Sequence, residues 1–285
     1  MNGISILRED EAAELDAFLA THAYSSMYLR GALHKGADRA SFSIKREAGA
    51  IVAAAQHAAS GMLVLQAPVD AGAVARAALR SSGRRLAGFF GPVEQMQAAR
   101  HEMGLDDVPF QKNTPEDLFA LTLAQLRVPA ALVEKALTCR VAVEADEALM
   151  LAWRAGFRRH IFNEMPGEAH DKATRADVAA LLPAGALFIL ESDVPLACCS
   201  FNARLPDMVQ VGNVWTPPEN RGRGYAQAVV AGALEIARNA GVTRAVLSTG
   251  RQNLPAQAAY RAIGFEVVGD YGTAAIAADV VLPVF

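Results

Sequence analysis

Apolar and polar positions along the chain alternate with two different periods, and the order in which the periods change is nearly the same in the two halves. Residues 9–19 carry the 3.6-residue spacing of a helix, and 41–45, 50–56 and 62–66 carry the alternation or continuous apolar character of strands. A helix over 69–79, a strand over 85–90 and a helix opening after Gly91-Pro92 complete the first series. In the second half an amphipathic segment begins at Val143 and runs through Leu149, Trp153, Phe157 and Ile161, and 175–182 forms another helical pattern. Strands are predicted over 187–191, 196–202 and 208–215, separated by turn signals at Ser192-Asp193 and Leu205-Pro206-Asp207. A long helix, a strand at 244–247, a short helix and a last strand region follow. The stretch between Pro109 and Thr138, with Thr114-Pro115 and Val128-Pro129, marks a crossing between two domains expected at 1–130 and 137–285. The repeated order suggests a duplicated α/β unit.

Composition narrows the function. Hydrophobic residues make up 52% of the 285, enough for a full core, and the net charge of −3 supplies no basic field for gripping nucleic acid. No run approaches the ~18 apolar residues of a membrane span, and Arg8, Glu9 and Asp10 precede any apolar segment of signal-peptide length, so a cytoplasmic protein is expected. Cys139, Cys198 and Cys199 lack CxxC spacing and the six histidines form no HxxxH or HxH pair, so neither disulfides nor a metal is expected.

One segment carries a chemical signal. Val214-Trp215-Thr216 ends a strand, and Arg221-Gly222-Arg223-Gly224-Tyr225-Ala226 opens a helix whose apolar stripe is Ala226, Val229, Val230, Ala233, Leu234 and Ala237. A helix start leaves main-chain N–H groups without partners, and its dipole attracts an anion. Gly222 and Gly224 allow the backbone close to a phosphate, Arg221 and Arg223 add charge, and a pyrophosphate is the natural guest. A dinucleotide fingerprint would need a third glycine or alanine where Gln227 stands and an acidic residue after the next strand, which ends in Ser248-Thr249-Gly250-Arg251. Arg251 suits a 2′-phosphate, so an NADP-binding protein remains an alternative.

The run Arg221-Gly222-Arg223-Gly224-Tyr225-Ala226 resembles the R/Q-x-x-G-x-G/A signature of the GCN5-related N-acetyltransferase (GNAT) family. The segment from Asn253 through Tyr260 to Ile263-Gly264-Phe265 resembles that family's downstream motif. The resemblance implies two GNAT-like α/β units, each a mixed, mostly antiparallel sheet flanked by helices. The first is expected to be degenerate, since Gln66-Ala67-Pro68-Val69-Asp70-Ala71-Gly72 lacks the paired glycines and arginines. The second is expected to bind acetyl-coenzyme A through Val214, Trp215, Thr216, residues 221–226 and Asn253, and to pass the acetyl group directly to an amine-bearing small molecule or peptide. An acyl-coenzyme A sensing or partner-binding module without turnover is the second reading.

By the same resemblance the strand ending at Thr216 splays from its neighbour, and main-chain groups of Val214 and Thr216 meet the pantetheine arm and thioester carbonyl. Tyr260 would protonate the departing thiolate, a role open to a phenol of ordinary pKa ~10. Strand 208–215 has no carboxylate to serve as base. Where the family's first two helices connect, His160 and Glu164 are expected as an i, i+4 pair on one helix face, with Glu164 a candidate base or acceptor-binding group. Cys198 and Cys199 are expected to fill the core, and neither the acceptor nor the oligomeric state follows from the sequence.

Overall fold

The computed structural model describes residues 3–277 and 280–282, so the last residues of the expected span 137–285 lie outside it. The chain runs β1 (Gly3–Ile6), α1 (Ala12–Thr21), α2 (Met27–His34), β2 (Phe42–Glu47), β3 (Ala50–His57), β4 (Met62–Gln66), α3 (Ala71–Ser82), β5 (Gly88–Gly91), α4 (Val93–Glu102) and β6 (Phe110–Thr122). After a short α5 (Ala130–Val133) come β7 (Thr138–Val141), α6 (Glu147–Phe162), α7 (Glu168–Leu181), β8 (Leu187–Glu191), β9 (Pro195–Arg204), β10 (Met208–Trp215), α8 (Tyr225–Asn239), β11 (Arg244–Gly250), α9 (Leu254–Ala262) and β12 (Glu266–Ile276). From β1 to β6 and again from β7 to β12 the order is β-α-α-β-β-β-α-β-α-β.

The chain forms two compact units, residues 1–118 with 268–285 and residues 119–267, rather than two contiguous halves. The divisions fall inside β6 and inside β12. Unit 1 has the strand order β1-β2-β3-β4-β5-β12, and unit 2 has β6-β11-β10-β9-β8-β7. The second repeat thus gives most of its last strand, β12, to unit 1, and the first repeat's last strand, β6, ends in unit 2, a pairing over long sequence separation that no local pattern encodes.

In unit 1, β4 and β5 are parallel and their neighbours antiparallel. Helix α3 buries Val74, Ala75, Ala78 and Leu79 on one face, against Leu63, Leu65 and Phe89 of the sheet. Gly83 at φ 64° ends it, its N–H donating to the Leu79 carbonyl. On the opposite side Leu15, Leu19 and Leu29 pack with Phe42 and Ile44. At the start of α3 the Gly72 N–H donates to the Glu102 Oε2 at 2.9 Å, so a carboxylate from α4 occupies the positive end of the helix. A Cβ on Gly72 would lie 2.4 Å from the Glu102 Cβ, which is why this position is glycine.

Unit 2 repeats the plan with a larger core. The expected stripe of α8 is buried at Val229, Val230, Ala233, Leu234 and Ala237, and Ala228, Ala231 and Gly232 are buried as well. The helix is enclosed on more than one face because Gly232 meets β7, where a Cβ would come within 2.3 Å of the Cys139 Cβ. Burying Val229, Val230 and Leu234 contributes about 1.5–3 kcal/mol each. A second core, with Met150, Val178, Leu187, Ile189, Cys198 and Trp215, lies where α6 and α7 cover the other side of the sheet. Helix α7 begins at Glu168, earlier than the expected 175, because the polar residues His170 and Thr174 occupy its buried stripe ahead of Val178 and mask the periodicity.

Candidate active site

The site is assembled around the end of β10. This strand pairs in parallel with β11 from Met208↔Arg244 to Gln210↔Val246, and beyond that rung the pairing stops although both strands continue. Two irregularities against β9 accompany the parting, one between Gln210 and Val211 and one between Gly212 and Trp215. In the second, Gly212 faces Ser200 and Trp215 faces Cys198, so β10 carries one residue more than its partner. Asn213 absorbs the extra residue at φ 51°. The bulge leaves Val214 packed against the α8 core and Trp215 on the α6 side. Gln210, at the last paired rung, and Thr216 each bury a side-chain oxygen with no partner among the described residues.

After Thr216 the chain makes a one-turn 3₁₀ helix over Pro218–Asn220 and reaches α8 through two glycines in the left-handed region, Gly222 at φ 77° and Gly224 at φ 79°. A Cβ at either glycine would meet nothing within 4 Å. No side chain caps α8, and its first bond beyond the helix runs from Ala228 N–H to the Gly224 carbonyl at 3.0 Å. The amides of Tyr225, Ala226 and Gln227 therefore precede the helical ladder and carry the positive end of its dipole. The Asn220 amide donates to the Leu196 carbonyl at 3.2 Å and anchors the loop to β9.

The two arginines of the loop have different positions. Arg221 donates from Nε to the Thr216 carbonyl at 3.1 Å and lies over the Trp215 ring at 5.0 Å, closing the loop on itself. Arg223 is exposed and has no partner among the described residues, so its charge is the one available at the mouth of the helix. Asn253 caps α9, accepting from the Ala256 N–H at 3.4 Å, and its Nδ2 donates to the Thr249 Oγ1. Tyr260 sits seven residues further along the same helix, 7% exposed, between Phe119 and Phe265 at ring distances of 6.3 and 6.2 Å.

On the α6–α7 side the expected His160–Glu164 pair is not formed. Helix α6 ends at Phe162, and Asn163 at φ 52° turns the chain so that Glu164 leaves the helix face. Both Glu164 oxygens accept from Arg158, at 2.7 and 2.8 Å, and Oε2 also lies 3.2 Å from the His170 Nδ1. His160 meets the Trp215 ring edge-on at 5.9 Å instead. Arg158 is a partner of both Glu164 and Asp177. Burial opposes its charge, yet the hydrogen bonds it donates to Glu164 and the Asp177 charge raise its pKa.

The chain of contacts continues inward. Arg154 holds the Asp177 Oδ2 through Nε at 2.8 Å and the Asn213 Oδ1 through Nη1 at 2.5 Å. Desolvation lowers the Arg154 pKa against the pull of Asp177. Asn213 in turn donates from Nδ2 to the Ser200 Oγ at 2.8 Å and the Asn202 Oδ1 at 2.9 Å. Arg154, Asp177, His170 and Asn213 escaped the sequence reading. The signal available was polar residues at 154 and 158, one turn apart beside the apolar Met150, Trp153 and Phe157. A small cavity bounded by Trp153, Phe157, Cys198 and Trp215 lies beneath this network. Cys198 and Cys199 are buried as expected, and burial pushes the Cys198 thiol up to about 12 and that of Cys199 well above its ordinary value.

A mixed sheet, a strand that parts from its parallel neighbour and an uncapped helix start behind a glycine loop make up the candidate site. Residues 150–265 match the sequence model of the Acetyltransferase (GNAT) family, and this part of the chain is a GNAT domain. A search of curated proteins finds no match. Solved structures similar to the chain include a GCN5-related N-acetyltransferase from Sphaerobacter thermophilus, 13% identical, covering 96% of this chain and 94% of that one at a TM-score of 0.59. Another, from Kribbella flavida, is 16% identical over 88% of this chain and 93% of that one, at a TM-score of 0.58. A tandem GNAT protein from the clavulanic acid biosynthesis pathway is 14% identical over 97% of this chain and 98% of that one, at 0.56. At these identities the likeness is one of fold. No helix among the described residues is long and apolar enough to cross a membrane, and no group of three or more His, Cys, Asp or Glu among them could hold a metal.

Proposed function

We propose that unit 2 is an N-acetyltransferase that moves the acetyl group of acetyl-coenzyme A directly to an amine. The observation that carries the proposal is the uncapped start of α8, where Gly222 and Gly224 leave open space before the amides of Tyr225, Ala226 and Gln227. A diphosphate fits this cradle: it satisfies the free N–H groups, lies at the positive helix end and meets Arg223. Acetyl-coenzyme A supplies the activated acyl group as a thioester. The parting of β10 from β11 makes room for the pantetheine arm, with main-chain groups of Val214 and Thr216 beside it and Trp215 and Arg221 bracing the loop.

In the reaction the amine nitrogen attacks the thioester carbonyl, a C–N bond forms, the C–S bond breaks and the thiolate takes the proton of Tyr260. Backbone donors at the β10 bulge stabilise the charge that grows on the carbonyl oxygen. Asn253 fixes the start of α9 and so the place of Tyr260. Glu164, with both oxygens engaged by Arg158, serves the acceptor side by positioning rather than as a base, and the amine's proton leaves to water. Unit 1 takes no coenzyme A in this reading, because Glu102 already occupies the corresponding helix start.

The absence of a free carboxylate on β10 favours a second reading, acyl-coenzyme A binding without turnover. Calorimetric titration with acetyl-coenzyme A, followed by thiol release across a panel of amines, tests both. Binding with turnover that Tyr260→Phe abolishes supports the transferase, binding without turnover on any amine supports the sensor, and no binding overturns both.

A further inference from the structure

We infer that Arg154 and Asn213 are positioning residues, with Arg154 acting through Asn213 to hold the bent end of β10 on the path that acetyl transfer requires; the inference rests on the acetyltransferase reading above. Asn213 stands at φ 51°, in the left-handed region that few residues other than glycine adopt, and its surroundings hold it there. The surroundings here are three side-chain bonds. Arg154 Nη1 donates to the Asn213 Oδ1 at 2.5 Å, and the Asn213 Nδ2 reaches the Ser200 Oγ at 2.8 Å and the Asn202 Oδ1 at 2.9 Å. The space beside the bulge is equally determined, since a Cβ on Gly212 would lie 2.1 Å from the Asn202 Nδ2.

Burying a guanidinium is costly, and Arg154, its side chain only 13% exposed, is retained because its planar fork serves two acceptors at once. Nε and Nη2 hold Asp177 while Nη1 holds Asn213. Asp177 is shared with Arg158, which Glu164 grips with both oxygens, so the fork is fixed from α6 and α7 together. A lysine has one point charge and cannot occupy both places. The residue that follows Asn213 is Val214, where the backbone assigned to the thioester begins. The diphosphate cradle is held by other contacts, Asn220 on Leu196 and Arg221 on Thr216. Loss of the Arg154–Asn213 tie therefore moves the reacting end without touching the cradle, and a shift of about 1 Å there costs on the order of 100-fold in rate.

The test uses Asn213→Gly, which keeps the left-handed turn and deletes the three bonds, together with Arg154→Lys and the double variant. Each is checked for folding by circular dichroism and thermal melting. The expected result is unchanged acetyl-coenzyme A affinity by calorimetry, a kcat lower by about 10- to 100-fold on the best amine, and faster amide hydrogen exchange over residues 211–216. The double variant is expected to be no slower than the slower single, because both break one linkage. A folded Asn213→Gly with parental kcat or unaltered exchange over 211–216 overturns the inference while leaving the transferase reading in place, and so do single losses that multiply in the double. An unmodified protein that binds no acetyl-coenzyme A overturns the reading itself, and the inference with it.

Discussion

Helices α3 and α8 occupy the same place in the two repeats, each following the fourth strand of an antiparallel run and preceding a strand parallel to it. At α3 the Gly72 amide is taken by Glu102. At α8 no side chain caps the helix, and two left-handed glycines open the approach. The strands differ in the same sense. In unit 1 the backbones stay together past the last paired rung, so that a Cβ on Gly91 would lie 2.9 Å from the Leu65 carbonyl oxygen; in unit 2 pairing ends at Gln210 and Val246 with both strands continuing. The last helix differs too: unit 2 has Asn253 as N-cap and Tyr260 seven residues on, whereas α4 has Pro92 and, seven residues on, Ala99. One order of elements thus supports an open, uncapped helix start or a closed, self-capped sheet. A few side chains at the helix start and the strand gap decide between them.

Breaking the open cradle should have the largest effect. Gly224→Glu places a carboxylate and a strained backbone at the helix mouth, and acetyl-coenzyme A affinity should fall by about 100-fold or more, ~2.8 kcal/mol, in calorimetric titration. Glu102→Gln in unit 1 should leave affinity and a stoichiometry of one unchanged, and a second binding event would break the comparison. Tyr260→Phe should lower kcat by about 10²- to 10⁴-fold with the dissociation constant retained, whereas Ala99 in unit 1 offers nothing equivalent to remove.

Stability should follow the crowded glycines. Gly72→Ala in unit 1 and Gly212→Ala in unit 2 should each cost about 1–3 kcal/mol, read as a lower urea midpoint, because the added methyl meets Glu102 or Asn202. Acid should soften the units in sequence. Burial lowers the His57 pKa, so as pH falls past ~6.5 the unfolded chain takes the proton first, and unit 1 loses stability from there down to the folded value. The hydrogen bond from Arg140 lowers the Asp146 pKa in unit 2; that contribution is present above the unfolded value of ~3.9 and lost as pH falls through the folded one. Hydrogen exchange in peptides of each unit between pH 7 and 3 would show unit 1 opening first. The smallest effect is a null one: with Cys139 and Cys198 at about 12 and Cys199 raised well above its ordinary value, no thiol of the folded protein should react with a disulfide reagent at pH 8 within the time that all do in urea.

The glycine loop before α8 was legible because everything that builds it is local: glycines where φ is positive, a strand before, an apolar stripe after. The repeated order was legible for the same reason, since each element has its own period. The Glu164 geometry was not, because a single left-handed residue at Asn163 decides whether the helix continues for one more turn. The line from His170 through Glu164, Arg158, Asp177 and Arg154 to Asn213 joins three elements and a loop, and its members read singly as surface polar residues. The exchange of last strands was equally out of reach, since β6 and β12 have the same local pattern whichever sheet takes them.

That exchange has a consequence for synthesis. The neighbour of β5 is β12, with Gly91 opposite Gly272, so unit 1 cannot complete its sheet until the chain has been made through β12, more than 180 residues after β5. During translation the nascent first repeat carries a bare strand edge beside β5, the kind of surface on which chains misassociate and chaperones act. Maturation of unit 1 is therefore timed by the emergence of β12.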